Sequence, residues 1–420
     1  MEQKNSRHAL EISIEKCVGC SHCMRACPTE ALRVVKGKAL MFSDWCIDCG
    51  ACFRVCPTKA IRITEDDINQ IFKYTHRILL VPAVFFGQFE TKLNLEEITY
   101  FLYQMGFTEV CAVEQSADIL GAELNRYMAT HKKPVISSFC PAVIRLIQVR
   151  FPLLVDHIMQ LLPPLEITAQ YYKRSYEAKG IPSHEVGIFY VTPCAAKIAA
   201  IKAPIGGYTS PINGAINMDH LYNKVYLAYK NKKIDAEIKV NAALSATGIR
   251  WPMTHGEARH IKGRALAIDG MTNVIEFLEK LEDDEIQGID FIELRACDES
   301  CAGGILMHGN RFLTVERLKQ MAEAAPEEHE LVEEYRKICS AYIPMQPVES
   351  RSMVKYDVNK KVALEKMDKV RQLRKQLPGI DCGACGAPSC EALAEDVVCR
   401  GASTHFCVFM KKEIEESTEK

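Results

Sequence analysis

The chain has no apolar run long enough to cross a bilayer: in 420 residues the longest, Ile78 to Phe86, falls well short of the roughly 20 residues a transmembrane helix needs. It has no sustained basic tract either. Lysine and arginine (52) nearly balance aspartate and glutamate (54), and the formal net charge of −2 gives no electrostatic reason to expect nucleic acid or an anionic membrane as partner. The opening MEQKNSRHALEISIEK lacks the apolar core of an export signal, which points to the cytoplasm. What the chain does have is cysteine. Its 19 thiols in a reducing compartment argue for metal ligation over disulfides.

Eight of those thiols form an internal repeat. CVGCSHCMRACP recurs as CIDCGACFRVCP, each copy reading C-x2-C-x2-C-x3-C-P. Three closely spaced thiolates wrap one cubane cluster while the fourth reaches across to the other. This pairs Cys17, Cys20, Cys23 and Cys56 on one [4Fe-4S] cluster, and Cys46, Cys49, Cys52 and Cys27 on a second. Two zinc sites are the competing reading, and the interleaved spacing and the prolines weigh against it. Residues 1–76 are read as a small α+β two-cluster ferredoxin domain.

From residue 77 to 347 short apolar runs alternate with longer amphipathic ones. ILLVPAVFF, EVCAV, PVISSF, VGIFYVT and DFIEL read as buried strands; ELNRYMATH, AVIRLIQVRF, DHIMQLLPPLEITAQYYKRSYEAKG and NVIEFLEKLEDD read as helices. The alternation implies an α/β domain with largely parallel strands around a buried site, and ligands in such folds gather beyond the carboxyl ends of strands. Cys140, Cys194 and Cys297 stand at three such ends, with Cys301 close behind. Four thiolates there can hold one more cubane.

Residues 348–377 read as a linker helix, with Val362, Met367, Val370 and Leu373 on one stripe. Residues 378–420 form a small helical domain. In it Cys382, Cys385, Cys390 and Cys407 are spaced C-x2-C-x4-C-x16-C within LPGIDCGACGAPSCEALAEDVVCRGASTHFCVF, resembling the four-cysteine iron–sulfur domain of electron-transport subunits. A [4Fe-4S] cluster is favoured there, with structural zinc as the alternative. The last residues, KKEIEESTEK, read as a solvated, frayed helix. Cys111, Cys339 and Cys399 belong to none of these sets.

The central segment resembles the iron-only [FeFe] hydrogenases. That family carries TSCCP, MPCxxKxxE and FxExMACxGGCxxGGG in this order; the chain has SSFCP, TPCAAKIAA and FIELRACDESCAGG. The resemblance implies an H-cluster: a cubane on Cys140, Cys194, Cys297 and Cys301, with Cys301 bridging to a diiron centre that carries carbon monoxide, cyanide and a dithiolate. It places Lys197 against a cyanide ligand and Pro193 in the cofactor pocket. It also implies reversible interconversion of H2 with protons and electrons, a redox partner such as ferredoxin or a regulatory protein, and maturation enzymes. The departures concern proton supply. The family's relay cysteine is Phe139, which cannot carry a proton; the glutamate after the lysine is Ala200; Thr192 and Arg295 replace pocket methionines; and Asp298, Glu299 and Ser300 replace Pro-Gly-Gly, leaving Gly303 and Gly304. Glu293 matches the family's FxE glutamate, as structural acceptor or functional group. His255, His260 and His308 read as locally satisfied histidines. The substitutions and the C-terminal domain resemble the family's sensory branch, with slow turnover reporting hydrogen. A non-catalytic scaffold holding only a cubane, and an electron-transfer protein, are the alternatives.

Overall fold

A computed structural model describes residues 8–89, 93–231, 244–328, 332–339, 343–351, 356–357 and 359–410. The terminal KKEIEESTEK lies outside the described residues. The chain divides into two compact units: residues 1–9 with 64–350, and residues 10–63 with 351–420. The C-terminal four-cysteine segment therefore shares a unit with the N-terminal repeat.

In that shared unit β1 (Leu10–Ile12), β2 (Leu32–Val35), β3 (Lys38–Met41) and β4 (Ile61–Ile63) make two antiparallel pairs, β1 with β4 and β2 with β3. The β2–β3 hairpin turns on Lys36 and Gly37, both with positive φ (50° and 72°), as a tight two-residue hairpin requires. The four-cysteine segment docks on this hairpin. Val34 N–H donates to the Gly386 carbonyl at 2.8 Å, and Gly386, at φ 88°, must be glycine because a Cβ there would fall on the Val34 carbonyl oxygen. Beneath the contact, Arg33 and Asp396 form a buried ion pair at 2.5 Å. The helix Lys360–Gln376 buries Val370 among Ala387, Leu393, Ala394 and Cys407. It is part of that core.

In the larger unit the strands are β5 (His76–Val81), β6 (Glu109–Ala112), β7 (Val135–Ile136), β8 (Val186–Thr192), β9 (Gly214–Asn217), β10 (Ala265–Asp269) and β11 (Phe291–Arg295). They form two parallel sheets, ordered β6-β5-β8-β9 and β10-β11-β7. Every residue of β8 and β11 is buried, the mark of strands covered on both faces. The α/β architecture with parallel strands is as the alternation implied. Three local readings change. The strand read over Ile78–Phe86 ends at Val81, because Pro82 has no N–H to extend a ladder and starts the short helix Ala83–Phe86. The long helix read from Asp156 is broken at Pro163 and Pro164, the second of which opens the helix Pro164–Ala178. Strands β9 and β10 are short and carried no pattern that separated them from loops.

Candidate metal centre

Three of the central cysteines follow the ends of parallel strands, and the fourth lies in a turn just beyond. Cys140 follows β7 and caps the helix Pro141–Arg150, its carbonyl accepting from the Val143 and Ile144 N–H groups at 3.0 and 3.1 Å. Cys194 follows β8 and caps the helix Ala195–Lys202; the Thr192 hydroxyl donates to its carbonyl at 2.9 Å. Cys297 follows β11, its carbonyl accepting from Gly270 and Ser300 N–H at 3.3 and 3.1 Å. Cys301 lies in the short turn Ser300–Gly303, its N–H bonded to the Pro252 carbonyl at 3.2 Å. The Pro193 carbonyl ties the loops together by accepting from Leu306 N–H at 3.0 Å, and Gly304 passes so close that a Cβ would come within 2.5 Å of that oxygen. Cys140, Cys194 and Cys301 are near one another: charge on Cys301 or Cys140 would raise the Cys194 pKa, and charge on Cys140 would raise that of Cys301. Burial pushes the Cys194 thiol up to about 12 and also raises Cys301, against the pull of Lys197 and Arg295. A soft metal would displace those protons.

Lys197 is buried, with Nζ 3.9 Å from Cys301 Sγ and 4.7 Å from the centre of the Phe139 ring. Burial disfavours its charge, yet the surrounding anionic groups, Cys301 first, hold its pKa above the ordinary lysine value. The Arg295 guanidinium lies 4.0 Å from the same ring. Phe139 is thus flanked by two buried cations, in cation–π contact with both. Arg295 in turn pairs with Glu257 at 2.8 Å and with Glu293 at 3.4 Å. Glu293 accepts from the Glu257 and Ala258 N–H groups at 2.9 Å each, and Glu257 accepts from the Ser137 hydroxyl at 2.5 Å. Burial raises the Glu257 pKa, with Arg295 opposing. Arg295 Nη1 finds no hydrogen-bond acceptor among the described residues.

The stretch between the last two cysteines is tied down. Ser300 and Thr254 hydroxyls share a hydrogen bond of 2.8 Å, Thr254 donates to Asp269 at 2.6 Å, Glu299 N–H donates to the same carboxylate at 3.1 Å, and Asp298 pairs with Arg311 at 2.6 Å. His308 pairs with Asp219 and stacks on Tyr222, while His260 stacks on Trp251.

Glu114, Glu166 and Glu257 are the groups the sequence concealed. Glu114 is buried, accepts from Ala83 N–H at 2.9 Å, and is pushed up to about 7 by burial, with Lys197 opposing. Glu166 lines a cavity of about 570 Å³ together with Ser138, Phe139, Lys197, Ala200 and Tyr208.

In the smaller unit two cavities separate the repeat's thiols. One, of about 350 Å³, is lined by Cys17, Cys20, Cys23 and Cys56; the other, of about 310 Å³, by Cys27, Cys46, Cys49 and Cys52. Their remaining walls are largely apolar. Burial pushes Cys23 up to about 11 and Cys49 up to about 12. Cys385 feels Cys382 and Cys407 as near charges, and Cys390 N–H donates to Asp381 at 2.6 Å.

The donor chemistry therefore fits iron–sulfur clusters at four places, and at the central one the buried Lys197 ammonium and the unpartnered Arg295 Nη1 fit an added anionic group. Comparison with known proteins agrees at the level of family and fold. Residues 80–205 match the family model for the iron only hydrogenase large subunit, C-terminal domain; residues 16–61 match a 4Fe-4S dicluster domain; residues 377–409 match the model FeS, for an Fe-S cluster. No curated protein matches the chain. Among solved structures, it is similar to an [FeFe]-hydrogenase studied for oxygen inactivation at its H cluster (TM-score 0.51, 13% identity), covering 69% of this chain and 97% of that one. It is equally similar to HydA(deltaEFG), studied for stepwise H-cluster assembly (TM-score 0.50, 13% identity, 69% and 97%). A variant of HydA1 from Chlamydomonas reinhardtii matches at TM-score 0.50 and 15% identity over the same shares. At these identities the likeness is one of fold.

Proposed function

We propose that this chain, a protein of the iron-only hydrogenase family, interconverts H2 with two protons and two electrons at an H-cluster, slowly, and that the slow turnover reports hydrogen to a regulatory or redox partner in the cytoplasm. Cys140, Cys194, Cys297 and Cys301 would hold the cubane, with Cys301 bridging to the diiron unit that maturation enzymes insert. Cys17, Cys20, Cys23 and Cys56, then Cys27, Cys46, Cys49 and Cys52, would hold two further [4Fe-4S] clusters, and Cys382, Cys385, Cys390 and Cys407 a fourth. When bound, the diiron group supplies the site at which hydrogen is split or formed.

The residues supply the rest. Lys197 is a buried ammonium held charged by its neighbours, so it can give a charge-assisted hydrogen bond to an anionic ligand of the cofactor and retain it. Pro193 and Gly304 bring the two cysteine loops together at a close contact a larger residue would break. Arg295, neutralised by Glu257 and Glu293, places a cation beside Cys301 and Cys140. Phe139 occupies the face where a titratable group would move protons and offers none. This supports a slow enzyme over a fast one.

The single observation that carries the reading is the buried Lys197 ammonium beside Cys301, on the cavity it shares with Phe139 and Glu166, where it can reach an anionic ligand of an added group as well as the thiolates. Infrared spectroscopy on protein produced with the maturation enzymes tests it. Metal-bound carbonyl and cyanide bands that change on exposure to hydrogen are expected; their absence leaves the scaffold reading, in which only a cubane is present.

A further inference from the structure

Phe139 lines a cavity beside the central site that also carries a buried carboxylate, Glu166. Glu166 is 2% exposed. It sits in the first turn of the helix Pro164–Ala178 and lines the same cavity as Phe139, Lys197 and Ala200. One of its oxygens, Oε1, accepts from the Ser210 hydroxyl at 3.0 Å; the other, Oε2, is buried without a partner among the described residues. Ser210 is half-buried and follows the exposed Thr209. The carboxyl group is therefore one hydrogen bond from a half-buried hydroxyl, and its other oxygen remains available.

We propose that Glu166 is the proton-relay residue of the central site, exchanging protons with solvent through Ser210 on one side and with the site through the cavity it shares with Lys197 on the other. The inference rests on the hydrogenase reading above. In the direction of proton reduction, Glu166 releases its proton from Oε2 into the cavity and regains one at Oε1 from the Ser210 hydroxyl, which takes its replacement from water. In hydrogen oxidation each transfer reverses, and the electrons leave through the iron–sulfur clusters. The cavity has room for a few water molecules between Glu166 and Lys197, whose Nζ lies 3.9 Å from Cys301 Sγ.

The charged and titratable groups around the carboxyl suit this task. Tyr208 faces it and keeps its phenol proton, its pKa held well above the ordinary value by burial and by Glu166 itself. Lys197 lies on the same cavity wall, and Arg145, buried behind, acts on Tyr208 from the other side. Burial pushes the Glu166 carboxyl up to about 7, with Ser210 opposing, so both protonation states are accessible at neutral pH. A carboxylate serving only to complement the positive end of its helix would be held ionised and would gain nothing from an unpartnered buried oxygen.

The test uses full-length matured protein with Glu166→Gln, Glu166→Asp and Ser210→Ala. Glu166→Gln is expected to keep the metal-bound carbonyl and cyanide bands while turnover falls at least about tenfold and loses the limb of its pH profile near neutrality. Glu166→Asp restores part of the rate, and Ser210→Ala slows turnover with the bands intact. Independently of turnover, infrared titration of the wild-type protein shows a protonated-carboxyl band, sensitive to deuterium, that fades as pH rises through about 7 and is missing in Glu166→Gln. Wild-type protein that carries the bands and turns over, with Glu166→Gln and Ser210→Ala within about twofold of it, overturns the relay alone; so does absence of the carboxyl band. Wild-type protein without metal-bound carbonyl and cyanide bands overturns the hydrogenase reading and the relay with it.

Discussion

The two cavities of the ferredoxin repeat are lined by its cysteines, whereas the cavity beside the central cysteines is lined by Lys197, Glu166 and Phe139 and by none of the thiols, and the surroundings of the two places differ in kind. Ile12, Val34, Ala39 and Ile61 surround one repeat cavity, and Leu10, Ala31, Leu32 and Met41 the other. The central site has Lys197, Arg295 and Glu114 buried near its cysteines, Glu257 and Glu293 paired with Arg295, and Glu166 buried on the adjacent cavity. An electron carrier needs little from its surroundings beyond ligands and a fixed, dry environment. A centre that moves protons and retains charged small ligands needs ionisable groups, and burying them is costly unless each is paired or used. The contrast implies that removing single charges should disable the central site and leave the repeat untouched.

The largest effect is expected at Lys197. Lys197→Met removes the one ammonium beside Cys301 and should abolish the metal-bound carbonyl and cyanide bands of matured protein, while the visible absorption of the repeat's clusters is unchanged. Equal loss at both places would erase the contrast. Next comes Arg295→Met, which leaves Glu257 and Glu293 buried without their cation. Removing one partner of a buried ion pair costs about 3–5 kcal/mol, so the larger unit should unfold at clearly lower temperature by circular dichroism. Adding Glu257→Gln should recover much of that loss, because the remaining carboxylate, Glu293, still accepts two backbone N–H groups.

Glu166 offers a smaller effect with a definite sign. Its pKa is raised from 4.5 to about 7 in the folded protein, so the folded state binds its proton more tightly than the unfolded chain does. The associated stability is fully present below about pH 4.5 and is lost as pH rises through about 7, a change of about 3 kcal/mol across that window. Glu166→Gln does not titrate. Relative to wild type it should therefore gain stability between acid and mildly alkaline pH, read from denaturant midpoints at each pH. A pH-independent difference would mean that the carboxyl is not buried as described.

How much of this was legible in the sequence obeys the same division. The repeat's ligands are contiguous, and their spacing alone separated the two sets of thiols that line the two cavities. The strand ends bearing Cys140, Cys194 and Cys297 were legible because apolar runs precede them, and Lys197 because TPCAAK resembles the MPCxxK motif of the [FeFe] hydrogenases. Of the carboxylates, Glu293 was legible through the resemblance and Glu114, Glu166 and Glu257 were not. Glu166 comes after two prolines at a helix start, where an acidic residue reads as an ordinary complement to the helix dipole, and Glu257 sits in HGEAR, which carries no periodicity. Their burial arises from segments distant in the chain, Ser137 and Arg295 for Glu257 and Ser210 for Glu166. The breaks at Pro82 and at Pro163–Pro164 were readable, since proline both lacks an N–H and opens helices; apolar periodicity masked them.

The smallest effect is expected in the loop between Cys297 and Cys301, and there two neighbours should differ in sign. Glu299 and Ser300 both hold positive φ, 59° and 52°, a conformation that costs a side-chain-bearing residue about 1–2 kcal/mol. The repeat's loops meet the same demand partly with glycine, Gly19 and Gly50. Glycine at 299 would relieve that strain and keep the backbone N–H that bonds Asp269, while the freer unfolded chain costs about 0.5–1 kcal/mol. Glu299→Gly should therefore stabilise the protein slightly, by less than about 1 kcal/mol. Ser300→Gly relieves similar strain but removes the buried hydroxyl bonded to Thr254, at a cost of about 1–3 kcal/mol, and should destabilise it. If thermal unfolding shows both variants stabilised, the polar loop holds Cys301 through its backbone alone; opposite signs make the Ser300–Thr254–Asp269 chain part of what fixes Cys301.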